Sequence, residues 1–236
     1  MRIFLQSLRF VVTALAMIGE HGQITRQQKM PTLDLLTRNK NPVTSLAATI
    51  YRFCDEQTIV LGSIIGIGID LPGVMDRNSG VIASCPLLPL LDGYPLAMEL
   101  TAPLGVPTFT ENDVNLSALG EHCYGRGQGI DNMAVVFVGS GILLNPHLIL
   151  LGGIVTGWPE SIEIARTLAQ THSRIVVRDH LQVERTVLGE QAGLLGAAAL
   201  VMSKITPSYP PSSKGTNRNV TRDSSLLYQG RDREGL

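Results

Sequence analysis

Gly105-Val-Pro-Thr-Phe-Thr-Glu-Asn-Asp-Val-Asn-Leu-Ser-Ala-Leu-Gly-Glu121 is the stretch whose reading decides the fold. Thr108-Phe-Thr110 has the β-branched and aromatic makeup of a strand. Glu111-Asn-Asp-Val-Asn115 then opens a helix running to about Tyr124. A polar cluster at such a junction stands at the C-terminal end of the strand, where open α/β sheets bind ligands. Asp113 there can project into a cleft and accept a proton from a hydroxyl, assistance worth roughly 10²–10⁴ in rate. The spacing also suits helix capping, by Asp113 or Asn115. Both readings stand on spacing alone.

Working outward, strands and helices alternate, which argues for an α/β layer architecture. Residues 1–30 read as a hairpin, alone or with a short strand before it, with a turn at Gly19-Glu-His-Gly22. Residues 41–57 place Leu46, Ile50, Phe53 and Cys54 at helical spacing. Residues 58–70 are a near-continuous apolar run, the pattern of a strand covered on both faces. Leu71-Pro-Gly73 breaks it, and a short helix, Leu96 to Leu104, ends near Pro103. Downstream come a strand at 134–138 ending in Gly139-Ser-Gly141, a strand at 148–151 ending in Gly152-Gly153, and a helix at 159–171. A strand at 181–188 and an Ala- and Gly-rich helix at 189–203 follow. From Thr206 the composition turns to Pro, Ser, Asn, Arg and Gly, a disordered tail.

The glycine pairs that follow strands allow a backbone to approach a phosphate or a flat base, or simply mark turns. With 19 basic and 20 acidic residues, net charge is −1, which gives no electrostatic footprint for nucleic acid or a membrane surface. Cys54, Cys85 and Cys123 form no CxxC pair, so a disulfide framework or closed zinc site is not expected and a reducing cytoplasm fits. The apolar run Phe10 to Ile18 is read as a strand rather than a leader, and no run reaches the ~18 residues of a membrane span.

In order, five stretches resemble the ROK family (repressors, open reading frames, kinases). They are Ile64 to Asp76, Gly105 to Glu121, Gly125 to Ile142, Asn145 to Gly153 and Gly189 to Leu200. The resemblance implies a two-lobed actin-like ATPase (ribonuclease H-like) fold. It places a sugar-binding lobe at 1–124, a shortened nucleotide-binding lobe at 125–204, and the tail at 205–236. The implied activity is ATP-dependent phosphorylation of a hexose such as glucose, with a sugar-responsive transcriptional regulator, or a non-enzymatic remnant, as the alternatives.

By this resemblance Asp113 is the base, and Asn112, Glu111 and Gly73 are sugar contacts. Gly139, Ser140 and Gly141 form the second phosphate loop, and Gly152 and Gly153 the adenosine loop. Mg²⁺ would accompany ATP, a homodimer would form through the second lobe, and no zinc is expected. The departures matter as much. The family's Asp-x-Gly-Gly-Thr phosphate loop is matched here by Phe4-Leu-Gln-Ser-Leu-Arg9, without acid or glycine. The sugar-contacting Asn expected after Pro86 is Leu87. Gly141-Ile-Leu-Leu-Asn145 spans a junction that in the family holds on the order of a hundred residues, the scale of a small domain. These departures lead us to expect weak or absent kinase activity.

Overall fold

The computed structural model describes residues 2–8, 12–19, 21–32, 41–76, 79–137, 148–153, 157–158, 160–172 and 181–206. Its centre is a five-stranded sheet in the order β3-β2-β1-β4-β7. The strands are β1 (Arg2–Leu8), β2 (Val12–Gly19), β3 (Ile24–Pro31), β4 (Ile64–Leu71) and β7 (Thr108–Asn112), while β5 (Val74–Met75) and β6 (Ile82–Ser84) pair as a separate two-stranded ribbon. Strands β1 to β3 are antiparallel, whereas β1, β4 and β7 run parallel. The opening hairpin is therefore a three-stranded meander. β2 is buried over six consecutive residues, so it lies inside the sheet; β3 alternates and carries Arg26, Gln27, Gln28 and Lys29, as a solvated edge should.

Two helices cover one face. α1 (Pro42–Glu56) starts at an Asn41 cap, whose Oδ1 accepts from Val43 N at 2.8 Å and Thr44 N at 3.1 Å. Its buried stripe Leu46, Ile50, Phe53 and Cys54 packs with Leu15, Met17, Ile67 and Ile69 of the sheet. Each such large apolar side chain contributes roughly 1.5–3 kcal/mol by leaving water. α2 (Leu96–Leu104) adds Leu96, Leu100 and Leu104 to the same core and ends at Gly105, whose φ of 63° requires a residue without a Cβ penalty. Between α1 and β4, Leu61–Ser63 forms a 3₁₀ turn rather than strand. Ser63 N and its hydroxyl both donate to Val60 O, so these groups are satisfied locally and pairing starts only at Ile64.

The other face is covered by α3 (Asp113–Tyr124) and α5 (Ala192–Ile205), around Ala14, Ala16, Ile18, Leu116, Leu195, Ala198 and Val201. These two helices meet backbone to backbone. A Cβ on Gly196 would collide with the Leu116 carbonyl, and one on Gly120 with the Ala192 carbonyl. Gly66 likewise leaves room on β4 for Val201 and Ile205.

A smaller parallel sheet, β10-β9-β8, comprises β8 (Met133–Phe137), β9 (Leu148–Gly152) and β10 (Gln182–Arg185). α4 (Glu160–His172) packs on it through Ile162, against Leu151 and Val183. The strand expected over 181–188 stops at Arg185 because the backbone donors of Val187 and Leu188 turn elsewhere. Glu121 near the end of α3 is fully buried. Its Oε1 accepts from Val187 N at 2.8 Å and Leu188 N at 2.9 Å, and its Oε2 from Arg126 N at 3.1 Å. One carboxylate thus ties the segment after β10 to the helix that carries Asp113. Of the tail expected over 205–236, Ile205 closes α5 and residues 207–236 lie outside the described residues.

Two outcomes follow from this packing. Gly196→Ala is expected to lose stability by about 1–3 kcal/mol or more, because neither backbone can retreat without moving a helix. Gly62→Ala, with open space around it, is expected to stay within about 0.5 kcal/mol. Urea titration of both variants reads the difference. For Glu121, the order of midpoints should be wild type, then Glu121→Gln, then Glu121→Ala. The amide keeps one accepting oxygen but turns donors toward a donor, whereas alanine orphans three N–H groups, a loss of about 3 kcal/mol or more.

Candidate functional site

The register of the central sheet assembles the site. β4 and β7 run side by side with Asp70 opposite Glu111 and Leu71 opposite Asn112, so both strands end at one level. The chain leaves β4 through Pro72-Gly73 and leaves β7 directly into α3. Asn112 is the hinge of that second exit. Its Oδ1 accepts from Val114 N at 2.9 Å and Asn115 N at 3.2 Å, while its Nδ2 donates to Gly73 O at 2.9 Å. The helix cap is therefore Asn112, not Asp113 or Asn115. One amide both starts α3 and fastens it to the turn after β4.

That assignment frees Asp113 from the capping role. It occupies the first position of α3, half-buried, with Oδ1 accepting from Val114 N at 2.9 Å. A carboxylate in a first helical turn is also stabilised by the helix dipole. Glu111 braces the same turn: its Oε1 accepts from Asn112 N at 2.9 Å and Asn115 Nδ2 at 3.1 Å. Gly73 has no room for a side chain, since a Cβ would lie 2.8 Å from Leu71 Cδ1, 2.9 Å from Ser84 O and 3.2 Å from Cys85 Cβ. The structure thus brings Gly73, Glu111, Asn112 and Asp113 together.

Behind this group lies Cys85, buried, its N–H bonded to Asp92 Oδ1 at 2.5 Å and its Sγ to Pro72 O at 3.5 Å. Burial pushes the Cys85 thiol up, and the charges of Asp92 and Asp113 add to the rise against a lowering backbone bond from Leu88. Cys85 is a neutral structural thiol rather than a nucleophile.

The nucleotide-side residues are separate from this cluster. Gly139, Ser140 and Gly141 lie outside the described residues. Gly152 closes β9 opposite Phe137, and Gly153 follows with φ 81°, a turn that favours glycine, on the smaller sheet. Asp70, opposite Ser7 of β1, is fully buried, with Oδ2 where a Cβ on Gly193 would fall. Neither Asp70 nor Glu121 was legible as special: the first ends an apolar run and the second resembles any helical glutamate. A cavity of about 580 Å³ lies between β2–β3 and residues 187–194, spanned by Lys29 Nζ to Glu190 Oε2 at 2.8 Å. No residue of the Asp113 cluster lines it.

The model of the ROK family matches residues 12–142, more than half of the chain. The chain belongs to the ROK family. Glucokinase of Thermotoga maritima is 31% identical over 145 residues, 61% of this chain and 41% of that protein. The chain spans under half the length of the curated relatives it matches. Among solved structures, a ROK family glucokinase from Streptomyces griseus in complex with glucose and AMPPNP overlays with a TM-score of 0.68 at 16% identity, covering 85% of this chain and 99% of that one. A ROK family transcriptional regulator, a homolog of the E. coli MLC protein, overlays with a TM-score of 0.72 at 14% identity, covering 86% and 78%. The fold is accordingly the actin-like ATPase fold of these sugar kinases.

The double use of Asn112 generates a test. Asn112→Ala removes the cap and the Gly73 tether together and is expected to cost about 1–2 kcal/mol, against about 0.5 kcal/mol for the exposed Asn115→Ala. Thermal unfolding followed by circular dichroism checks the ranking.

Proposed function

We propose that this ROK family member binds a hexose at the Asp113 cluster and, by descent, is an ATP-dependent hexose kinase whose phosphoryl transfer is weak or lost. The observation that carries this is the position of Asp113, held at the first turn of α3 by an Asn112 cap that is itself fastened to Gly73. A carboxylate so placed accepts the proton of a sugar hydroxyl as that oxygen attacks a phosphoryl group. Glu111 and the second N–H of Asn112 stand beside it for neighbouring hydroxyls, and Gly73 keeps the floor narrow.

Phosphoryl transfer depends on positioning and on neutralising the charge of the transferred group. Magnesium with ATP supplies that neutralisation when bound. The residues at the end of β1 do not fit the ion: Gln6-Ser7-Leu8 offers no acid, and the carboxylate opposite in register, Asp70, is sealed against Gly193. The second phosphate loop at Gly139–Gly141, the adenosine loop at Gly152–Gly153, the shortening within 141–145 and the division into lobes at 124/125 belong to the same reading. So do a cytoplasmic location, a homodimer and the expectation of no zinc. Among the described residues, no helix is long and apolar enough to cross a membrane.

The likeness to the regulator favours a second reading, in which sugar binding serves transcriptional control. The balanced charge weighs against direct DNA binding.

The experiment is sugar-dependent ADP formation across a hexose panel, with sugar binding measured in parallel by calorimetry. Binding without ADP formation above the no-sugar background is the expected result. Robust turnover that disappears in Asp113→Asn would keep the base and overturn the impairment. Sugar-responsive retention of a DNA fragment would favour the regulator.

A further inference from the structure

The cavity of about 580 Å³ between β2–β3 and residues 187–194 has no part in the chemistry at Asp113. Its size falls in the roughly 300–1,000 Å³ range of small-molecule sites. The sheet register explains one wall. Ala14 of β2 stands opposite Lys29 of β3, so a methyl group and a long cationic arm lie side by side on the face that the cavity occupies. The opposite wall is fixed by hydrogen bonds. The fully buried Glu121 accepts from Val187 N at 2.8 Å and Leu188 N at 2.9 Å, and Gln191 N donates to Leu188 O at 3.0 Å. A wall set in place before a ligand arrives lowers the cost of binding.

The lining divides into two kinds of surface. Ala14, Leu188 and Leu194 supply an apolar part, and Ala14 and Leu194 are themselves buried. Lys29 and Glu190 are the charged groups of the lining, one of each sign, and they meet at 2.8 Å. Their side chains are 54% and 80% exposed, so the pair is solvated, contributes little net stability and opens at small cost. A ligand with a single charge would satisfy one partner and leave the other without its counter-ion. A ligand with both signs on one carbon, and an apolar body beyond it, satisfies both and fills the rest. We propose that this cavity binds an α-amino acid with an apolar side chain. Its carboxylate would sit on Lys29 Nζ, its ammonium on Glu190, and its side chain against Ala14, Leu188 and Leu194. No residue of the lining belongs to the Asp113 cluster, so amino-acid binding here and sugar binding there stand or fall separately.

Calorimetry at neutral pH tests the site on the full chain, with L-phenylalanine, glycine, L-phenylalaninamide and N-acetyl-L-phenylalanine as probes. Glycine lacks the apolar body, the amide lacks the carboxylate, and the acetylated form lacks the ammonium. The expected result is phenylalanine bound at least about tenfold more tightly than each of the other three, the order of discrimination that one lost contact supplies. Lys29→Gln and Glu190→Gln should each weaken phenylalanine by about tenfold or more. Both positions are exposed, circular dichroism checks folding, and either folded variant suffices to decide. Absence of phenylalanine binding overturns the proposal. So does equal binding of any one of the other probes, or phenylalanine affinity unchanged in a folded variant.

Discussion

The close approach of α3 and α5 is the constraint on which the rest depends. Carbonyl oxygens of Leu116 and Ala192 occupy the space that side chains at residues 196 and 120 would take, so the helices touch through their backbones. That contact sets the height of α3 above the sheet, and with it the position of Asp113 at the first turn. It also brings the start of α5 over the end of β4, where Gly193 closes on Asp70. At the far end of α3, Glu121 receives the segment after β10. One helix therefore carries the candidate base at its N-terminus and the tie to the smaller sheet near its C-terminus.

Polar groups in this molecule act mainly by fixing exits from strands. Asn112 is bonded in both directions, to the helix it caps and to the turn after the neighbouring strand. Asp92 holds Cys85 N, and Glu111 holds Asn112 N. Each spends a side chain on a backbone group that would otherwise be orphaned at the sheet edge. A site built this way is rigid before any ligand arrives, which favours binding by limiting what must be ordered. The end of β1, in contrast, offers no acid in Gln6-Ser7-Leu8.

Much of the fold was legible because its signals are periodic or compositional. The stripe of α1, the end of β4 and the polar opening of α3 each fall within a residue or two of expectation. The failures have specific causes. Leu61–Ser63 carries strand-like residues but satisfies its backbone locally. Thr186 N still pairs with Leu151 O, but Val187 and Leu188, which look extended, donate to a glutamate 66 and 67 positions earlier. The cap at α3 was expected at Asp113 or Asn115, and the structure gives it to Asn112, because Gly73 O anchors the other end of that amide. No local pattern contains a partner 39 residues away.

By itself the sequence determined the alternation of strands and helices, the strand-to-helix junction bearing Asp113, the loss of acid and glycine near the end of β1, and the family resemblance. These depend on neighbours in the chain, through periodicity, turn chemistry and the order of motifs. Only the tertiary structure decided that Asn112 is the cap, that Asp113 is released from capping, and that Glu121 and Asp70 are buried. Those facts depend on which surfaces meet across the sheet, and burial or pairing at long range has no signature in the residues that carry it.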